Sequence, residues 1–140
     1  MIVLDTNVIS EQMRPQPSEV VLNWLGAVDN SALYISAVTE AELLRGLATM
    51  PLGKSKFAKT SLLDEILHQD FAGFILPFES KAAASYAEIF AHRKSVGRPI
   101  SILDCMIAAI AKANNRKLAT RNVADFAQCG VGIINPWQHV

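Results

Sequence analysis

Short apolar runs alternate along the chain with longer segments of helical periodicity. Ile2-Val3-Leu4 opens the pattern. Residues 32–36 (Ala-Leu-Tyr-Ile-Ser), Phe74-Ile75-Leu76 between Gly73 and Pro77, residues 117–120 (Lys-Leu-Ala-Thr) and Gly132-Ile133-Ile134 repeat it. Each run is too short for a helix and none alternates cleanly, as expected of strands covered on both faces. Between them the spacing predicts helices over 19–29, with Ser18 as N-cap after Pro15 and Pro17, and over 39–50, stopped by Pro51. Residues 55–71 place Phe57, Leu62, Leu63, Ile66 and Leu67 at helical spacing. An Ala-rich helix spans 79–96 and stops at Gly97, and a further one spans 101–114 and ends at Asn114-Asn115. Strands alternating with helices predict an α/β sandwich with a largely parallel sheet. No repeat, low-complexity tract or long linker divides the chain, so residues 1–140 read as one domain.

Composition narrows the class. Hydrophobic residues make up 51% and charged residues 19%, too apolar and too weakly charged for a disordered chain. No apolar run reaches the ~18–20 residues of a membrane-spanning helix. The opening MIVLDTNV has no basic region before its apolar residues and carries Asp5, unlike a signal peptide. Cys105 and Cys129 form no Cys-x-x-Cys pair, and His68, His92 and His139 give no zinc spacing. These features predict a cytoplasmic protein with reduced thiols. Thirteen Lys and Arg balance thirteen Asp and Glu, so attraction to nucleic acid must come from local patches.

Four acidic or amide positions carry the candidate chemistry. Asp5 ends the first strand, the edge where open α/β sheets bind ligands, although it also suits the cap of a helix starting near Asn7. Glu40 and Glu42 point about 200° apart on a helix, so only one faces the sheet edge, and geometry leaves both open. Asp104 is the single charge in the apolar stretch 102–111, where a carboxylate is costly unless paired or metal-bound, while first-turn placement also suits the helix dipole. Asn122 and Asp125 follow the fourth strand in a segment that also reads as an Asx-type turn. Carboxylates brought together repel by about 4 kcal/mol per pair at 4 Å and an effective dielectric of 20. A divalent cation relieves this. An all-oxygen set suits Mg²⁺ or Mn²⁺ rather than Zn²⁺, and such a site acts on phosphodiesters.

The stretches MIVLDTNVIS, TEAELLRG, SILDCMIAA and LATRNVADF…GVGIINPW, in that order over residues 2–137, resemble PIN-domain ribonucleases. The likeness is to the VapC toxins of bacterial type II toxin–antitoxin pairs, and among those to FitB-like members. The resemblance implies a single-domain PIN fold, an α/β/α sandwich around a mostly parallel sheet of about five strands. It also implies that Asp5, Glu42 and Asp104 form a metal-binding acidic cluster, which selects Glu42 over Glu40. Many relatives carry a fourth acid where this chain has Asn122. Asn122 therefore joins the ligands as an uncharged carbonyl, and Asp125 is the alternative source of a fourth carboxylate, acting through water. The implied cofactor is Mg²⁺, with Mn²⁺ as the alternative. The implied mechanism is attack by metal-activated water, with Asp5, Glu42, Asp104 and Asp125 as the catalytic set. Thr6 and Asn7 are expected to shape the Asp5 turn, and Thr120 to hydrogen-bond an acid or the attacking water.

Basic residues cluster at Lys54, Lys56 and Lys59, at Arg93, Lys94 and Arg98, and at Lys112, Arg116, Lys117 and Arg121. The first group reads as a solvated helix end. Arg121, beside the acids, is the candidate RNA contact. The resemblance implies an RNA substrate, a cognate VapB- or FitA-like antitoxin, a homodimer, and operator DNA reached only through the antitoxin, with no membrane role. Tyr86, Ile89 and Phe90 form a stripe read first as core packing. The rival function is a PIN module that binds RNA or protein without cutting, favoured by Asn122 and opposed by the three retained acids. A haloacid-dehalogenase-like site wants a carboxylate where Asn7 stands. A response-regulator receiver wants its phosphoacceptor mid-chain, which Asp5 and Asp104 do not supply.

Overall fold

The computed structural model describes residues 1–138; His139, one of the three histidines weighed for zinc, lies outside them. Five strands form one sheet: β1 (Ile2–Leu4), β2 (Leu33–Ser36), β3 (Ile75–Leu76), β4 (Lys117–Ala119) and β5 (Ile133–Ile134). Their order is β3-β2-β1-β4-β5 and every pairing is parallel. Among the described residues six helices surround the sheet: α1 (Thr6–Gln12), α2 (Glu19–Ala27), α3 (Ala37–Ala48), α4 (Lys54–Glu65), α5 (Ser80–Ser95) and α6 (Ile102–Ala113). None is long and apolar enough to cross a membrane.

Successive strand residues point to opposite faces, and here both faces are dry. Val3 and Leu118 join Ile89 of α5 and Ile107 and Ile110 of α6 in one core. Leu4 and Ala119 join Val8 and Ile9 of α1, Val21 and Trp24 of α2 and Leu63 of α4 in the other. Double burial is why the strands read as continuous apolar runs. The helix ends follow from local chemistry. Ser18, Ser36 and Ser101 accept hydrogen bonds from the Val21, Thr39 and Asp104 amides. The Ser36 cap starts α3 two residues before the expected Thr39. Gly97 (φ 73°) and Asn115 (φ 53°) close α5 and α6 in the left-handed conformation. The next amides, of Arg98 and Arg116, reach back to the Arg93 and Ala111 carbonyls. The expected helix over 55–71 is α4 followed by a wider turn, Ile66–Asp70, where the Phe71 amide bonds the Ile66 carbonyl five residues back.

From β1 the chain builds outward through β2 and β3, then returns to the other side of β1 for β4 and β5. The order therefore reverses between β1 and β4. In open parallel sheets a crevice opens outside the strand ends at that point. The residues just past these two ends are Asp5 and Thr120.

Candidate active site

Asp5 is only 5% exposed and its carboxylate is almost fully committed. Oδ1 accepts the Thr6 amide (2.8 Å), which also makes Asp5 the cap of α1. Oδ2 accepts the Thr120 hydroxyl (2.7 Å) and the Asn7 side-chain amide (3.2 Å). The Thr120 oxygen in turn accepts from the Asn122 amide (3.0 Å), and Asn7 Oδ1 from the Arg121 amide (3.4 Å). The cap and site readings of Asp5 are thus compatible. One carboxylate starts the helix and faces the crevice, and residues 6, 7 and 120 fix its rotamer.

Glu42, on α3, is held by the Thr6 hydroxyl, which donates to Oε1 (2.7 Å) and lies 3.0 Å from the Thr39 hydroxyl. Glu42 faces the cleft; Glu40 does not line it. Asp104 sits half-buried in the first turn of α6. Asp5, Glu42, Asp104 and Asn122 all line one open cleft of about 550 Å³. Asp125 does not line it. It is exposed, and its backbone carbonyl is held by Arg93 (2.7 Å).

The electrostatics record crowding. Burial pushes the Asp5 carboxyl up to about 6, and the charges of Asp104 and Glu42 add to the rise. The Thr120 and Thr6 hydrogen bonds hold it back. Burial also raises Asp104, aided by Asp125 and Glu42 and opposed by Ser101 and Arg93. These are carboxylates short of positive charge. Among the described residues no three acid, imidazole or thiol groups stand close enough to grip one ion between them. The donor set fits a hydrated hard cation, since Mg²⁺ keeps several waters and takes one or two carboxylates directly.

The same cleft is lined by residues the sequence did not single out for it: Ser10, Glu11, Arg14, Lys59 and Trp137. Lys59, read as part of a solvated helix end, is exposed and also stands at the cleft. Arg121, the expected RNA contact, lines the cleft with its guanidinium carbon 5.3 Å from the centre of the Trp137 ring. The signal for Trp137 lay in the terminal GVGIINPW stretch, which carries an aromatic just past the last strand.

This fold and this acidic crevice define the PIN class of α/β domains, and the family model described as "PIN domain" matches residues 2–130. The chain belongs to that family. It is 44% identical to "Toxin FitB" of Neisseria gonorrhoeae (strain ATCC 700825 / FA 1090), over 98% of this chain and 99% of that one. It is likewise 44% identical to "VapC ribonuclease Y4jK" of Sinorhizobium fredii (strain NBRC 101917 / NGR234), over 99% of each. The solved structure "FitAB bound to IR36 DNA fragment" superposes with a TM-score of 0.89 at 42% identity, covering 100% of this chain and 98% of that one.

Proposed function

We propose that this protein is the toxin of a type II toxin–antitoxin pair, a single PIN domain over residues 1–140 that cuts RNA by metal-dependent hydrolysis. The observation that carries the reading is Asp5. It is a carboxylate at the reversal point of the sheet, raised by burial and further by the charges of Asp104 and Glu42, and it shares one cleft with them. Asp5, Glu42 and Asp104 would hold a hydrated Mg²⁺, one or two of them directly and the rest through its waters, with Mn²⁺ as the alternative and Asn122 adding a carbonyl oxygen, while Asp125 stands outside the cleft. When bound, the ion supplies charge stabilisation to the phosphoryl oxygens and lowers the pKa of a coordinated water so that it can attack.

The chain's own residues prepare that chemistry. Thr6, Asn7 and Thr120 lock the Asp5 carboxylate in one orientation, so no side chain must reorganise as the substrate arrives. The Thr6 hydroxyl does the same for Glu42. Arg14, Lys59 and Arg121 border the cleft and suit phosphate contacts that position without reading sequence.

The relatives named toxin and VapC ribonuclease, and the FitAB complex with DNA, support a FitA- or VapB-like antitoxin partner. The DNA in that complex supports operator DNA engaged through the antitoxin, and a homodimer in the cytoplasm completes the proposal. The test is cleavage of a labelled structured RNA by antitoxin-free protein in Mg²⁺, Mn²⁺ or EDTA, beside Asp5→Asn. Cutting that needs the metal and is lost in the variant is expected. Equal cutting by both proteins overturns the site. Metal binding without cutting by either favours the non-cutting PIN module, to which the uncharged Asn122 points.

A further inference from the structure

We infer that Trp137 is a stacking seat for one nucleobase beside the scissile phosphate, with Arg121 as its partner. The inference rests on the ribonuclease reading above and adds a specificity-determining residue to it. The chain has two tryptophans with different surroundings. Trp24 is 4% exposed inside the core formed by α1, α2 and α4. Trp137 is half-buried, packs partly against that core, and lines the cleft with Asp5, Asp104 and Asn122.

The ring is fixed relative to the acids by short connections. The Thr120 amide bonds the Ile134 carbonyl (2.9 Å), tying the end of β4 to the end of β5. Thr120 also holds Asp5, and Arg121 is the next residue. Beyond β5, Asn135 folds the chain back. Its side chain accepts the Trp137 amide (3.0 Å) and its carbonyl accepts the Gln138 amide (3.1 Å), while Pro136 is buried between. A half-buried indole is thus built rigidly into the wall of a polar cleft.

A flat π surface beside phosphate-binding cations suits a nucleobase better than another phosphate or a metal. Arg121 covers the indole in the free protein, and among the described residues it forms no ion pair. A base that takes its place on the ring releases the guanidinium to a neighbouring phosphate. Every base has a π face, so such a seat tolerates sequence but demands a base free of its pairing partner.

The test uses the full-length, antitoxin-free protein and tryptophan emission. The probe is a short unstructured oligoribonucleotide, held in EDTA to prevent cutting, beside the same sequence annealed as a duplex. Because Trp24 is sequestered, quenching in the wild-type protein reports Trp137 without any substitution. The expected result is quenching by the single strand, much less by the duplex, and single-strand binding about tenfold weaker in Trp137→Leu. Trp137→Phe should restore affinity while losing the signal, and quenching of the wild-type indole by the single strand is the readout that a merely structural role would not produce. Unchanged affinity in a folded Trp137→Leu, or equal binding of duplex and single strand, overturns the inference. Cleavage of the same probe in Mg²⁺ separates the two readings. Cutting by the wild type without quenching rejects the stacking seat alone, whereas neither cutting nor binding rejects the ribonuclease reading and the seat together.

Discussion

Asp5→Asn should make the metal-free protein more stable at neutral pH, although it removes a group central to the site. The folded-state pKa of about 6 lies above the ordinary aspartate value of 3.8. The folded protein therefore holds this proton more tightly than the unfolded chain does. Its contribution is fully present below pH 4 and is lost as the pH rises through 6. A gap of about two pH units at 1.36 kcal/mol each corresponds to about 3 kcal/mol lost by pH 7. Asparagine keeps an acceptor for the Thr6 amide and carries no charge to desolvate or to repel Glu42 and Asp104; its NH2 can donate to the Thr120 oxygen but loses the bond from Asn7, a cost that does not vary with pH. The assay is urea unfolding in EDTA at several values between pH 4 and 7.5, taken as the difference between wild type and variant so that other titrations cancel. The variant should gain progressively through pH 4–6 and level off above. Saturating Mg²⁺ should stabilise the wild type, by about 2.7 kcal/mol at a hundredfold excess over its dissociation constant, and so offset most of the variant's lead. A stability difference that stays flat with pH would refute the reasoning, because Asp5 would then titrate alike in both states.

Three further outcomes follow from the same geometry. Thr120→Val removes the 2.7 Å hydrogen bond to Asp5, so the carboxyl should rise further and Mg²⁺ should bind more weakly at pH 7, read by calorimetric titration. Arg93→Met leaves the Arg98, Asp125 and Ala127 carbonyls without their donor. It should cost about 2–4 kcal/mol in urea melts, with faster amide exchange confined to residues 123–129. Gly97→Ala places a Cβ at φ 73° and should lower stability by about 1 kcal/mol without altering metal binding.

Much of this was legible because the signals are local. Asp5 follows directly from a strand end, Ser18 and Gly97 mark helix limits by their own chemistry, and the apolar runs mark doubly covered strands. What stayed hidden depends on contacts between distant segments. Periodicity could not separate Glu40 from Glu42, because the choice is made by the Thr6 hydroxyl on another helix. Arg93 reads as one of a basic cluster with Lys94 and Arg98, yet it is 4% exposed. Its partners are carbonyls of segments that run irregularly over the end of α5, and backbone acceptors leave no trace in side-chain pattern. The exposure of Lys59 is legible, but its place at the cleft is not, since that depends on how α4 packs against α3.

The hydrogen bond between Thr120 and Asp5 joins residues 115 apart. It has a consequence for how such a chain is made. A ribosome delivers β1 first, but the central strand lacks its β4 neighbour until nearly the whole chain has emerged. Until then Asp5 has neither its second partner nor its crevice, and the Trp137 wall does not exist. A chain released before residue 117 therefore lacks both β4 and Thr120, and the crevice around Asp5 is not formed. The site begun by β1 is thus completed only when residues 115 positions downstream have folded against it.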